Sequence, residues 1–245
     1  MTVDSMFVGR RSLLTGSAAL AGLWPLPSLG HTARPGDGRH DAERSAPAEG
    51  VEVTRCGHIA LVVLNRASKA NFLDGNDYAD LLAAFRTIDG DSSVHSTVLA
   101  GRGAHFSKGI DSTPSQIDEM LASERAGRES KGLSTKPVVA VLQGQTVGLG
   151  IALPLCADVR VASADAVFSW PDPSHADLFR SRLIEEIGRA NAQRYLLTGH
   201  SFDAREAWRL GFVQDIVADP AEGFEKAMAI AEAIAQRTFD ARRLA

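Results

Sequence analysis

Two segments of this chain constrain its fold most, because each is an apolar run that ends in a glycine turn. They are residues 97–111 (TVLAGRGAHFSKGID) and 137–163 (PVVAVLQGQTVGLGIALPLCADVRVAS). A strand that runs into a glycine turn leaves backbone N–H groups pointing outward. Two such turns that meet can donate hydrogen bonds to a single oxygen, which is how an oxyanion hole is built. The sequence therefore predicts an oxyanion-binding site formed by two turns.

Four ordered motifs resemble those of the crotonase (enoyl-CoA hydratase/isomerase) superfamily. Residues 98–111 and 136–163 match its two glycine-turn motifs, and residues 65–71 and 197–204 match two others. Several motifs in the same order are more specific than any one alone. The resemblance runs from about residue 51 to the end of the chain. It implies an α/β fold, a crotonase-like spiral of ββα units with flanking helices.

Hydrophobic spacing gives a compatible series of elements. Residues 51–54 and 59–64 are predicted to form a hairpin, and residues 96–100 and 138–142 are predicted strands. Helices are expected at residues 76–88, within 147–155, and at 187–198, 204–210 and 223–237.

The resemblance assigns the two oxyanion donors to backbone amides. In relatives they belong to the residue after the first-turn glycine and to the middle residue of the later glycine triplet. These residues are Ile110 and Leu149 here. A backbone donor tolerates a change of side chain. Leu149 replaces a glycine, however, so we expect its backbone to need a conformation that glycine adopts more easily.

The acid/base positions differ from those of the hydratases that the chain resembles. Hydratases use two glutamates, but the first position is Ala152 here and the second is Asp172. Hydration needs a base for water and an acid for the neighbouring carbon, and an alanine supplies neither. Moving a double bond needs one such group, so Asp172 favours an isomerase over a two-glutamate hydratase. The alternative for Asp172 is an ordinary turn residue beside proline.

Two other functions stay open from the sequence. The family's β-diketone hydrolase branch uses His and Asp to activate water for carbon–carbon cleavage, and His175 lies close to Asp172. A lone histidine in a loop is more often an exposed polar residue. A shortened C-terminal helical region and the loss of the first glutamate also fit a non-catalytic, ligand-binding member. We interpret residues 176–183 as a rebuilt loop, so substrate preference does not transfer from relatives.

No separate cofactor is expected, because coenzyme A enters as part of an acyl-CoA substrate. In relatives the stretch that matches residues 65–71 lies near the CoA nucleotide, which implies CoA contacts for Lys69 and Ala70. Lys108 and Gly109, in the first glycine turn, are the other two predicted contacts. The alternative for Lys69 is plain surface exposure.

Composition indicates one globular domain and argues against nucleic-acid binding. The 245 residues are 44% hydrophobic and 23% charged, which is enough for a sizeable core. The net charge of −4 gives no bulk attraction to nucleic acid. Cys56 and Cys156 form no metal-binding motif, and Cys156 is interpreted as a buried free thiol. The resemblance implies a homo-oligomer, a trimer or hexamer.

The N-terminal region is predicted to lie outside the domain. Residues 9–15 resemble the twin-arginine export motif, and an apolar stretch follows over residues 13–29. Two prolines interrupt that stretch, which is too short to span a membrane. Export to the periplasm is the prediction, with a cytoplasmic protein as the alternative because CoA thioesters occur there. The predicted parts are a signal segment (1–30), a disordered linker (31–50) and the crotonase-like domain (51–245).

Overall fold

The computed structural model describes residues 2–5, 14–15, 49–109, 133–171 and 176–244. Its strands are β1 (Thr2–Ser5), β2 (Leu14–Thr15), β3 (Gly50–Cys56), β4 (Ile59–Asn65), β5 (Ser96–Gly101), β6 (Val138–Leu142), β7 (Gln145–Val147), β8 (Val159–Ser163), β9 (Val167–Ser169), β10 (Phe202–Asp203) and β11 (Asp215–Val217). Its α-helices are α1 (Gly75–Gly90), α2 (Ala152–Leu155), α3 (Ala176–Ile187), α4 (Arg189–Thr198), α5 (Ala204–Arg209) and α6 (Pro220–Leu244). Ala67–Lys69 and Gly148–Ile151 are short 3₁₀ turns.

The strands form two sheets. The large sheet has the order β11-β8-β6-β5-β4-β3-β1-β2, and the small sheet has the order β10-β9-β7. In the large sheet β4, β5, β6, β8 and β11 run parallel, whereas β3 is antiparallel to β4. The predicted hairpin is confirmed, because Gly57 and His58 form the turn that joins β3 to β4.

Alternation along the strands sends side chains into two hydrophobic cores. The even-numbered residues of β4 from Ala60 to Leu64 pack on the face that α1 covers. The odd-numbered residues from Ile59 to Val63 pack on the opposite face, against α6. Successive side chains of a strand point to opposite faces, so a sheet covered on both sides requires a continuous apolar run. The predicted strands β5 and β6 meet the same requirement and are confirmed.

Successive ββα units place their second strands in the small sheet. β6 in the large sheet is followed by β7 in the small sheet and then by α2. β8 is followed in the same way by β9 and α3. β7 and β9 are parallel, and Ser107, which follows β5, forms a parallel bridge with Thr146 of β7. The predicted spiral of ββα units is therefore confirmed.

Two stretches fold differently from the prediction. Residues 176–183, interpreted as a loop, belong to helix α3. The helix predicted from residue 187 begins at Arg189, because Gly188 with φ 78° separates α3 from α4. Strands β1 and β2 involve residues that the sequence assigns to the signal segment, and that assignment stays a prediction.

Helix α6 covers the second core over 25 residues. The hydroxyl of Ser96, at the start of β5, donates a hydrogen bond to the carbonyl of Ala231 at 2.8 Å and ties the helix to the sheet. Neither α6 nor any other helix in the described ranges combines the length and apolarity needed to cross a lipid bilayer.

Candidate active site

The two predicted glycine turns meet at the edge of the small sheet. Val147 donates its N–H to the carbonyl of Ser107 at 3.0 Å, which joins the chain before the second turn to the first turn. A Cβ atom on Gly150 would lie 2.6 Å from the Ser107 carbonyl oxygen and 3.1 Å from the amide nitrogen of Gly109. A side chain at position 150 would therefore push the two backbones apart. The turns touch backbone to backbone.

The backbone of Leu149 adopts an ordinary conformation. Leu149 lies in the 3₁₀ turn Gly148–Ile151, and the left-handed φ of 54° belongs to Gly148. Among the described non-glycine residues, positive φ occurs at Ala70 and Asn71 and not at Leu149. The expectation that Leu149 needs a glycine-like backbone is therefore wrong. N–H groups at the start of a helical turn have no partner within it, which leaves the Leu149 amide suited to an external acceptor.

Three of the predicted catalytic residues lie outside the described residues, namely Ile110, Asp172 and His175. Ile110 directly follows the described Gly109, and Asp172 is the third residue after Ser169, the last residue of β9. Ser107, β7 and β9 are parallel neighbours. Carboxyl ends of parallel strands meet at one edge of a sheet, where ligands of α/β proteins commonly bind. The described chain before Ile110 and the described chain before Asp172 thus end on the side of the small sheet where the Leu149 turn lies.

The four predicted CoA contacts lie on adjacent segments. Lys108 donates its N–H to the carbonyl of Ala70 at 3.0 Å, and Leu73 donates its N–H to the carbonyl of Gly109 at 3.1 Å. Lys69 directly precedes Ala70 and is exposed, whereas Lys108 is half-buried. Two ammonium groups on neighbouring segments suit a phosphate-bearing ligand. The structure brings these residues together, and their contact with CoA stays a prediction.

Asn71 ties these segments to the rest of the site, a role that the sequence did not reveal. Its side-chain oxygen accepts the N–H of Arg66 at 2.9 Å. Its side-chain nitrogen donates to the carbonyls of Arg102 at 2.9 Å and His105 at 2.8 Å. The hydroxyl of Ser107 donates to the Asn71 carbonyl at 2.8 Å. Asn71 has φ 54°, and asparagine adopts this left-handed region more readily than most residues, which was the available signal.

His105 lies beside the junction of the two turns. Burial, and then the positive charge of Lys108, lowers the pKa of His105 below its ordinary value of 6.5. Its Nδ1 accepts the N–H of Gln145 at 3.1 Å, which places the proton of the neutral ring on Nε2. The histidine therefore links the first turn to β7.

The position of the first hydratase glutamate is the start of helix α2. Ala152 lies there, partly buried against the first core. One helical turn later Cys156 is a free thiol as predicted, but it is half-buried rather than buried. The guanidinium of Arg182 in α3 lies 2.9 Å from its Sγ atom. Helix α3 therefore packs directly on the helix that follows the second turn.

Comparison with known proteins agrees with this architecture. The family model described as Enoyl-CoA hydratase/isomerase matches residues 54–245. The chain belongs to the enoyl-CoA hydratase/isomerase family. Among solved structures, the enoyl-CoA hydratase from Bacillus anthracis is 26% identical to this family member, with a TM-score of 0.68 over 76% of each chain.

Curated relatives of this enoyl-CoA hydratase/isomerase family member include both types of enzyme. The chain is 33% identical over 197 residues to a Rhizobium meliloti protein described as "Probable enoyl-CoA hydratase", covering 77% of this chain and 76% of that one. It is 31% identical over 195 residues to the peroxisomal Delta(3,5)-Delta(2,4)-dienoyl-CoA isomerase of Arabidopsis thaliana, covering 71% and 70%. These similarities support an activity of the hydratase/isomerase type and do not separate the two reactions.

Proposed function

We propose that the chain shifts the double bond of an acyl-CoA substrate, with an enolate held at the junction of the two glycine turns. The observation that supports this most is the close approach of Gly150 to residues 107–109. It brings the amide of Leu149 next to the chain that leads into Ile110. Two amides aimed at one thioester oxygen stabilise the charge that forms when the neighbouring carbon loses a proton.

Asp172 is the proposed proton shuttle. One carboxylate that takes a proton from one carbon and returns it to another is sufficient for isomerisation. Hydration by two carboxylates would need a second acid at the start of α2, and Ala152 occupies that position. The parallel register of β7 and β9 supports this role, because it pairs Ser169, the last residue of β9, with Val147, which leads into the Leu149 turn.

The CoA part of the substrate is proposed to bind at the segments of Lys69 and Lys108. The backbone of Ala70 and Gly109 joins these segments through hydrogen bonds. Two cationic side chains attract the phosphates of CoA without the need for any further cofactor. The thioester would then extend from Gly109 toward the second turn.

A substrate panel with one matched pair of variants tests this proposal. We expect the purified protein to convert 3-enoyl-CoA to 2-enoyl-CoA, and Asp172→Asn to lower kcat by about 10²-fold or more. Asp80→Asn is the control, because Asp80 is an exposed carboxylate on α1, and it should keep the wild-type rate.

Other outcomes identify the other functions. Hydration of 2-enoyl-CoA without isomerisation would indicate a hydratase. Cleavage of a cyclic β-diketone that is lost in His175→Gln would indicate the carbon–carbon hydrolase. Binding of an acyl-CoA without turnover of any substrate would indicate a non-catalytic member of the family.

A further inference from the structure

A buried arginine connects the two sides of the candidate active site. Arg160, in β8, is 2% exposed. Its guanidinium donates to four acceptors, which are the carbonyls of Pro154 at 2.9 Å, Ala157 at 2.7 Å and Phe212 at 2.5 Å, and the carboxylate of Glu186 at 2.5 Å. A planar guanidinium with donors on all sides holds several partners in fixed directions.

Two of these acceptors, Pro154 and Glu186, belong to helices α2 and α3, which flank the proposed reaction centre. Pro154 lies in α2, which begins three residues after Leu149. Glu186 lies in the last turn of α3, which begins at Ala176. Four residues, 172–175, separate α3 from Pro171. Arg160 therefore joins the helix that follows the second glycine turn to the helix that follows Asp172.

Described residues hold the chain on both sides of residues 172–175. Before them, Trp170 is 2% exposed and its ring stacks on Phe202 with a centroid distance of 6.2 Å. After them, Leu183 of α3 is fully buried, and the same helix is bound to Arg160 through Glu186. The position of α3 thus sets where one end of this four-residue connection lies.

Glu186 is the partner of Arg160 that suits substitution, because it is the more exposed of the two. Its side chain is 27% exposed, compared with 3% for Arg160. Burial lowers the pKa of the Arg160 guanidinium, and the negative charge of Glu186 opposes that effect. Loss of the carboxylate would leave the guanidinium with carbonyl acceptors outside α3. The bond that would be weakened is the charge-assisted one to α3.

We infer that Arg160 is a positioning residue that acts through Glu186. It fixes helix α3, and with it the chain that carries Asp172, relative to the Leu149 turn. This inference rests on the proposed function for the role of Asp172 in proton transfer. Its structural part, the anchoring of α3, is independent of any activity.

Glu186→Gln tests the catalytic part, with Glu185→Gln as the matched control. Glu185 is the exposed neighbour on the same helix, so the two variants make the same chemical change. We expect kcat to fall by about tenfold or more in Glu186→Gln, with KM changed by less than about twofold, because small displacements of a reacting group cost rate. Glu186→Asp keeps the charge and should recover part of kcat. A role in stability alone would lower the melting temperature and leave kcat unchanged, which would overturn the inference.

Hydrogen exchange measures the anchoring without any substrate. Amides of residues 176–187 should exchange faster in Glu186→Gln than in Glu185→Gln, while those of residues 148–157 should not differ. If the wild type shows this pattern but no isomerase activity, the proposed function fails and the anchoring of α3 stands. Equal exchange of the two variants in residues 176–187 would overturn the inference. Should Glu186→Gln fail to fold, Glu186→Asp is compared with Glu185→Asp. Its shorter side chain keeps the charge, so we expect a smaller increase of exchange in residues 176–187, and no increase would overturn the inference.

Discussion

Gly144 and Gly150 each lie where two loops touch, and a Cβ atom fits at neither position. On Gly144, which has φ 51°, it would lie 2.0 Å from the carbonyl oxygen of Ala104. On Gly150 it would lie 2.6 Å from the carbonyl oxygen of Ser107. These contacts hold the chain after β5 against both ends of β7. The geometry of the proposed oxyanion site therefore depends on the absence of a side chain at positions 144 and 150.

Gly150→Ala is expected to separate the two turns. The new Cβ atom would meet backbone atoms, which move only if a turn moves. We expect kcat for 3-enoyl-CoA to fall by about 10²-fold or more, the usual cost of losing one oxyanion donor. Gly90→Ala is the control, because a Cβ there has no neighbour within 4 Å, and it should keep wild-type kinetics. A folded Gly150→Ala protein with normal kcat would show that catalysis does not need the turn contact.

Candidate site residues can be named from the sequence where they belong to short motifs. Lys69, Ala70, Lys108 and Gly109 belong to short motifs, and backbone hydrogen bonds join their segments, while their contact with CoA stays a prediction. The supporting residues were missed because their partners are distant along the chain. The Asn71 side chain bonds carbonyls 31 and 34 residues away. Arg160 bonds a carbonyl 52 residues away, and no sequence spacing indicates such a partner.

At the scale of elements, the family resemblance suggests a loop where hydrophobic periodicity correctly indicates helix α3. Residues 176–183 were compared with a loop of relatives, although Leu183 and Ile187 are four residues apart and both are buried. That spacing is typical of one face of a helix. Strands β7 and β9 were missed for another reason. Each has three residues, which is too short for alternation to be recognised.

Glu206 joins α4 to α5 through a charged hydrogen-bond network. Arg209 donates to its carboxylate from Nε and Nη2, each at 2.6 Å, and the hydroxyl of Tyr195 donates at 2.9 Å. These bonds, first those of Arg209 and then that of Tyr195, lower the pKa of Glu206 from 4.5 to about 2. A carboxyl group whose pKa is lower in the folded state stabilises the fold above its unfolded pKa. Its contribution is lost as the pH falls from 4.5 through about 2.

Glu206→Gln should therefore destabilise the fold in a pH-dependent manner. At pH 7 we expect a melting temperature lower by about 1–4 °C, the effect of a surface ion pair of about 1 kcal/mol or less. The difference from wild type should shrink as the pH is lowered from 4.5 toward 2. Glu225→Gln, an exposed residue of α6, is the control in the same series of melting curves. A difference that stays constant with pH would mean that packing, and not charge, is responsible.

At the scale of the whole molecule, repetition of the ββα unit places the candidate active site. Two neighbouring units send their second strands, β7 and β9, into the small sheet, and Ser107 of the unit before them forms a bridge with β7. The first unit leads into Ile110, the second into Leu149 and the third into Asp172. The family resemblance predicts this arrangement, whereas the hydrophobic pattern alone predicts strands and helices but not which strands pair. Assembly into a homo-oligomer and export are also properties of the whole molecule, and both stay predictions.

The predicted export signal depends on two adjacent arginines, Arg10 and Arg11. A twin-arginine signal is recognised by the guanidinium pair, so replacement by lysine keeps the charge and removes the pattern. We expect the wild type to appear in the periplasmic fraction with a new N-terminus, and Arg10→Lys/Arg11→Lys to stay in the cytoplasm with residues 1–30 attached. Arg242→Lys/Arg243→Lys makes the same change at another arginine pair and should be exported normally. Cell fractionation and mass spectrometry of the N-terminus measure both properties. A wild-type protein that keeps its first thirty residues in the cytoplasm would contradict the signal segment and favour the cytoplasmic alternative.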